Sequence, residues 1–215
     1  PRPAAARFSP AAACGMSRWL LTPVKPLAEA KSRLAPVLGV EERSALTRRL
    51  LERTLALARQ PSLFDHILVI SRDPLVWEIA RAGGADALPE LGDDLNSALQ
   101  QGSCHAWRQG AASVLIVPAD LPLLRREDLT ALCALGEQGD GFVIGPAQDG
   151  GTNALHLRLP PALPFCFGED SFARHQAAAR SAGLTPQVYD SPTLRFDLDR
   201  PEHWLALSAL LESLS

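Results

Sequence analysis

The residues best equipped for chemistry in this chain are charged and gathered in three short stretches. Lys25, Lys31 and Arg33 put three cations into nine positions of Pro23-Val24-Lys25-Pro26-Leu27-Ala28-Glu29-Ala30-Lys31-Ser32-Arg33-Leu34. Asp120 stands between Pro118 and Pro122, whose fixed φ angles stiffen the turn and hold the carboxylate in place. Asp197 and Asp199 flank Leu198, and alternation in an extended segment points both to one side. Carboxylates facing one way repel unless a cation joins them, and oxygen donors suit magnesium. A helix cap before Arg200-Pro201 would account for Asp199 but leaves Asp197 unexplained. The cationic stretch is no P-loop, since it lacks the glycines and the Lys-Ser/Thr ending. Cations on a loop can still neutralise a polyphosphate, although a solvated basic turn would use the same residues.

Two further stretches combine glycine-permitted backbone with a hydroxyl: Asp149-Gly150-Gly151-Thr152-Asn153 and Phe167-Gly168-Glu169-Asp170-Ser171-Phe172. The second opens a helix, where exposed amides bind phosphate and carboxylate, with simple capping by Ser171 as the plainer alternative. The histidines His66, His105, His156, His175 and His203 pair with no serine or cysteine nucleophile in a known pattern. Chemistry built on a histidine base is therefore not expected.

Short apolar runs alternate with helical patterns to position these residues. Strands are expected at Trp19–Val24, His66–Ser71, Ala85–Leu88, Ser113–Val117, Gly141–Gly145, Asn153–Leu157, Gln187–Tyr189 and Leu194–Phe196. Helices are expected at Glu41–Arg59, from Pro74, at Leu95–Arg108, Arg126–Leu135 and Ser171–Ala182, and from Pro201 onward. Such alternation means an α/β fold with a mainly parallel sheet covered on both faces. Ligands in these sheets gather at the carboxyl ends of the strands. Lys25, Asp73, Asp120 and Asp197 all follow strand ends.

The 215 residues carry 21 basic and 24 acidic side chains, a net charge of -3. Residues 1–60 hold 11 basic and 4 acidic residues, so the rest is strongly acidic. That balance argues against a nucleic-acid partner and suits an anionic small molecule handled with a divalent metal. Arg43, Arg48, Arg49, Arg53 and Arg59 read as the solvated face of one helix. Lys25 and Lys31 are the only lysines beside 19 arginines, and both lie in the cationic loop. No apolar run reaches the ~20 residues of a membrane span. Four scattered cysteines without a C-x-x-C argue against a disulfide framework and for a cytoplasmic setting. Residues 1–16 read as a disordered extension ahead of a single domain over 17–215, and a homodimer is the open possibility for assembly.

The ordered set V-K-P-L-x-x-A-K-S-R-L, P-A-D-L-P-L-L, G-G-T-N-A-L, F-G-x-x-S-F-x-x-H and D-L-D resembles the 2-phospho-L-lactate guanylyltransferase family. That family includes the phosphoenolpyruvate and 3-phospho-D-glycerate guanylyltransferases, and the resemblance runs from Trp19 to Leu207. It implies a Rossmann-like nucleotidyltransferase fold and transfer of GMP from GTP to a three-carbon phosphorylated acid. Pyrophosphate is released, and the product feeds synthesis of the deazaflavin coenzyme F-420. It also implies Mg²⁺ at Asp120, Asp197 and Asp199 and acceptor binding at Thr152, Gly168 and Ser171; by their own charge Lys25, Lys31 and Arg33 are the candidates to bind the nucleotide and assist catalysis by offsetting the departing pyrophosphate. Asn96 is the candidate base or ribose contact, though Asp93-Asp94-Leu95-Asn96 carries an acid where glycine is common. A nucleotidyltransferase branch with a molybdopterin or sugar-phosphate acceptor, and a catalytically silent nucleotide-binding protein, are the alternatives.

Overall fold

The computed structural model describes residues 17–60, 63–92 and 94–213; the extension expected over residues 1–16 lies outside them. Seven strands form one sheet: β1 (Arg18–Pro23), β2 (His66–Ser71), β3 (Asp86–Pro89), β4 (Ser113–Ile116), β5 (Val143–Pro146), β6 (Thr152–Arg158) and β7 (Gln187–Val188). Their order is β3-β2-β1-β4-β6-β5-β7. Only β6 runs against its neighbours, pairing antiparallel with both β4 and β5. The other pairings are parallel, as the alternating pattern requires.

The described residues form seven α-helices: α1 (Val40–Ala58), α2 (Pro74–Ala82), α3 (Leu95–Arg108), α4 (Arg126–Gly136), α5 (Ser171–Ser181) and α6 (Pro192–Arg195) beside the sheet, and α7 (Pro201–Ser213) against the Ser32–Leu34 turn. The period of two in each strand divides the core between the faces. Leu20, Val69, Leu115 and Val117 pack with α1, α2 and α4. Trp19, Leu21, Leu68, Ile70, Val114 and Ile116 pack with α3 and α5. Successive strands thus read as nearly unbroken apolar runs, because both faces are buried.

The chain moves outward from β1 to β2 and β3, then returns through α3 to place β4 on the other side of β1. This reversal opens a crevice at the carboxyl ends of β1 and β4, where an open α/β sheet binds its ligands. The cationic loop follows β1, and Asp120 follows β4. A third, small core cluster closes the same end: Leu34, Leu38 and Leu50 against Leu198 and Leu207.

Two expectations need correction. Leu194–Phe196 is no strand; Ser191 caps one helical turn by accepting from the Leu194 amide at 3.1 Å, and Pro192 supplies its first position. Arg43 is not on the solvated face of α1, unlike its exposed partners; it is buried and donates from Nη1 to the Leu38 carbonyl at 2.8 Å.

Leu198 is fully buried between Asp197 and Asp199, so it holds that segment down. Leu198→Ala is expected to cost about 2–5 kcal/mol of unfolding free energy. Urea denaturation checks this, and a loss no larger than that of a surface substitution would contradict the role.

Candidate active site

The cationic loop is built by backbone bonds and anchored by the strand next door. The Pro26 carbonyl accepts from the Glu29 and Ala30 amides, each at 2.9 Å, making one tight turn. Asp73 caps α2 through the Leu75 amide at 2.9 Å and accepts from the Leu27 amide at 2.8 Å with its other oxygen. Arg72 pairs with Glu29 beside it. Asp73, which the sequence marks as unusual strand-end chemistry, is therefore used to hold the loop.

Lys31 then adopts φ 54°, a left-handed conformation uncommon for a residue with a side chain. The turn carries its ammonium inward: the side chain is 7% exposed, with Nζ 2.8 Å from Asp120 Oδ2 and 3.9 Å from Asp199 Oδ1. Arg33, on the 3₁₀ turn Ser32–Leu34, donates from Nη1 to Asp199 Oδ2 at 2.6 Å and stays largely exposed. Lys25 is exposed on the outer part of the loop.

Asp120 and the Asp197–Asp199 segment are brought together by main chain, the Leu198 amide donating to the Asp120 carbonyl at 3.0 Å. Burial pushes the Asp197 carboxyl above the ordinary range, and the nearby charges of Asp120 and Asp149 push it further. Oδ1 of Asp120 and Oδ1 of Asp197 are both buried without a hydrogen-bond partner. Four carboxylates, of Asp120, Asp149, Asp197 and Asp199, thus share this end with the two cations of Lys31 and Arg33. The sequence assigns the Asp149 carboxylate no role of its own; its charge enters the site because it lies in the turn from β5 into β6, and β6 pairs with β4.

These residues fit a magnesium ion in donor type and in their unpaired buried oxygens. Among the described residues no three His, Cys, Asp or Glu side chains close around one point as a complete ligand set. That is consistent with magnesium, which commonly takes one or two carboxylates and completes its shell with water and substrate phosphate.

Thr152, Gly168 and Ser171 come together at the same end of the sheet, because antiparallel β6 begins where β4 finishes. Ser171 Oγ donates to Thr152 Oγ1 at 3.1 Å, and the Phe172 amide donates to the Gly150 carbonyl at 3.1 Å. Gly168 has φ +120°, open only to glycine, and a Cβ there would meet nothing within 4 Å. Asn96, expected to face the nucleotide, grips Phe167 instead: its Oδ1 accepts from the Phe167 amide at 2.8 Å and its Nδ2 donates to the same residue's carbonyl at 3.2 Å. That use leaves one amide hydrogen for a ligand.

Three positioning residues are missed by sequence reasoning. Asn153 Nδ2 donates to the carbonyls of Leu194 and Arg195 at 2.9 and 3.1 Å, fixing the chain that enters Asp197. Buried Asp128 accepts from Tyr189, Ser191 and Thr193 hydroxyls, tying the same approach to α4. His175 bonds Thr152 and the Cys166 amide. Asn153 lay in plain view within the G-G-T-N motif, whereas Asp128 carries no local sequence signal.

Solved structures show the same sheet. The chain superposes on a putative nucleotide-diphospho-sugar transferase from Desulfovibrio desulfuricans G20 with a TM-score of 0.69 and 22% identity, covering 86% of this chain and 84% of the other. A 4-diphosphocytidyl-2C-methyl-D-erythritol synthase matches with a TM-score of 0.65 and 15% identity over 92% and 99% of the two chains. The fold is that of the nucleotidyltransferases. At sequence level, the family of CofC-like guanylyl transferases matches residues 18–209, and the chain belongs to that family. It is 44% identical to the phosphoenolpyruvate guanylyltransferase of Rubrobacter xylanophilus over 195 residues, 90% of this chain and 95% of the other. It is 39% identical to the 2-phospho-L-lactate guanylyltransferase of Methanothermobacter thermautotrophicus over 87% of this chain and 82% of the other. The chain is a nucleotidyltransferase of the guanylyltransferase type.

A raised carboxyl pKa means the folded state holds its proton more tightly than the unfolded chain does. Ionised Asp197 therefore opposes folding at neutral pH, and that opposition fades as pH falls toward the ordinary ~3.9. In chelator, Asp197→Asn is expected to unfold at a higher temperature than wild type at pH 7, with the gap narrowing by pH 4. Thermal unfolding at both pH values checks this; a variant less stable than wild type at pH 7 would contradict it.

Proposed function

We propose that this chain transfers GMP from GTP to the phosphate of a three-carbon phosphorylated carboxylic acid and releases pyrophosphate. The candidate acceptors are phosphoenolpyruvate, 2-phospho-L-lactate and 3-phospho-D-glycerate. The reading includes Mg²⁺ as the cofactor, a cytoplasmic setting and a place in coenzyme F-420 synthesis. The observation that carries it is the pair of unpaired buried oxygens on Asp120 and Asp197 beside Lys31, at the sheet end shared with Thr152, Gly168 and Ser171. The names of the relatives support the acceptor class, and the higher identity to the Rubrobacter protein favours phosphoenolpyruvate as the first acid to test.

The reaction joins a phosphate oxygen of the acceptor to the α-phosphorus of GTP and breaks the bond to pyrophosphate. A phosphomonoester has its second pKa near ~6, so the nucleophile is already ionised at pH 7 and needs no base. Histidines are accordingly absent from the reacting role: His175, for one, has both ring nitrogens engaged. The protein's task is to crowd anions together in line and to offset their charge. Magnesium held by Asp120, Asp197 and Asp199 would neutralise phosphate oxygens and the departing pyrophosphate. Lys31 and Arg33, now turned onto those carboxylates, are within reach of a phosphate bound beside them. Lys25 adds a cation at the rim. Thr152 and Ser171 supply hydroxyls, and Gly168 supplies the open space against which the acid can lie.

The test is incubation with GTP, Mg²⁺ and each acid in turn, followed by assay of pyrophosphate. Release with at least one of the three, abolished by chelator, is the expected result. Silence with all three would overturn the proposal.

A further inference from the structure

His175 lies one helical turn beyond Ser171 on α5, fully buried, with the edge of the Phe167 ring system packed across it at 4.8 Å between centroids. Its Nε2 is 2.9 Å from the Cys166 amide. An amide can only donate, so Nε2 must be the unprotonated nitrogen. Desolvation lowers the imidazole pKa to about 4, against a smaller opposing effect from the Ser171 backbone, so the ring is neutral at pH 7. The hydrogen therefore sits on Nδ1, 3.2 Å from Thr152 Oγ1, and donates to it.

Ser171 donates to that same oxygen at 3.1 Å. A hydroxyl oxygen has two lone pairs, and both are now taken. Thr152 is left with one capability, donation through its own O–H. Among the described residues no recorded hydrogen bond uses that proton. All three residues are buried, and Thr152 is the least so, at 7% exposed against 1% for Ser171 and 0% for His175.

We propose that His175 is a positioning residue that makes the Thr152 hydroxyl an obligate donor, so that this subsite receives an oxyanion of the acceptor, its carboxylate. The inference rests on the guanylyl-transfer reading above and adds the polarity of its acceptor subsite. It explains why a histidine with both nitrogens engaged sits behind the hydroxyl pair: a rotating hydroxyl would accept as readily as donate, and would not favour an acceptor-only group such as a carboxylate. The Cys166 amide, itself next to the Phe167 backbone clamped by Asn96, fixes the tautomer that sets the polarity.

Two measurements test it. Nitrogen-15 NMR of the wild-type protein at pH 7 should show His175 neutral with hydrogen on Nδ1; hydrogen on Nε2, or a charged ring, overturns the proposal without reference to turnover. Steady-state kinetics with the active acid should then show that His175→Phe, which keeps the ring volume, raises KM for the acid about tenfold or more, the size of one hydrogen bond to a charged group, while KM for GTP stays within twofold. His175→Asn, which restores a donor near the Nδ1 position, should recover most of that loss. Equal rises in both KM values, or none in that of the acid, would overturn it. Wild-type silence with every acid is a different result, because it removes the guanylyl-transfer reading itself.

Discussion

Like charges held together at the carboxyl end of one sheet are the constraint on which this molecule turns. Asp197 is half-buried, feels the charges of Asp120 and Asp149, and has one buried oxygen with no partner. A carboxylate so placed opposes folding, and the backbone hydrogen bond and the His203 charge that favour its ionised form are smaller than the burial and like charges that oppose it. Lys31 offsets part of it by lying against Asp120 at 2.8 Å, with Arg33 taking Asp199. The remaining imbalance is negative, the sign that a divalent cation would relieve. Buried ion pairs are weak evidence for stability, since desolvation consumes much of the Coulomb gain. Their retention here makes sense as function.

The fold can be read as the apparatus that enforces this crowding. The reversal of strand order between β1 and β4 opens the crevice, and the loops after those strands bring cations and Asp120 to it. The D-L-D segment comes from far along the sequence and needs three separate attachments. Leu198 enters an apolar cluster with Leu34, its amide bonds Asp120, and Asn153 clamps the turn before it. Across the same end, the hydroxyls of Thr152 and Ser171 are set by buried His175 rather than by charge. One half of the site therefore carries paired charges, and the other oriented neutral hydroxyls.

Much of this was legible in the sequence because its signals are local. His66–Ser71 and Leu95–Arg108 are strand and helix over the expected residues, each marked by an apolar pattern and a clear stop. The five charged or hydroxyl-bearing motifs do meet at one sheet end, as strand-end placement requires. What failed depended on distance. Leu194–Phe196 looked like a strand by its apolar residues, but Ser191-Pro192 starts a helical turn that Asn153 and Asp128 then hold. Arg43 looked solvated because helical periodicity says nothing about the Leu38 carbonyl beneath it. His175 closes the F-G-x-x-S-F-x-x-H motif, but the motif gives it no role; its two partners, from residues 152 and 166, do.

The central claim is that the unpaired carboxylate oxygens form a seat for a divalent cation. Binding of Mn²⁺, followed by electron paramagnetic resonance in the presence of a non-hydrolysable GTP analogue, tests it most directly. Saturable binding to wild type, weakened tenfold or more by Asp197→Asn in a protein that remains folded, is the predicted result. Equal affinity in the two proteins would contradict the account and leave the buried carboxylates as a structural feature alone.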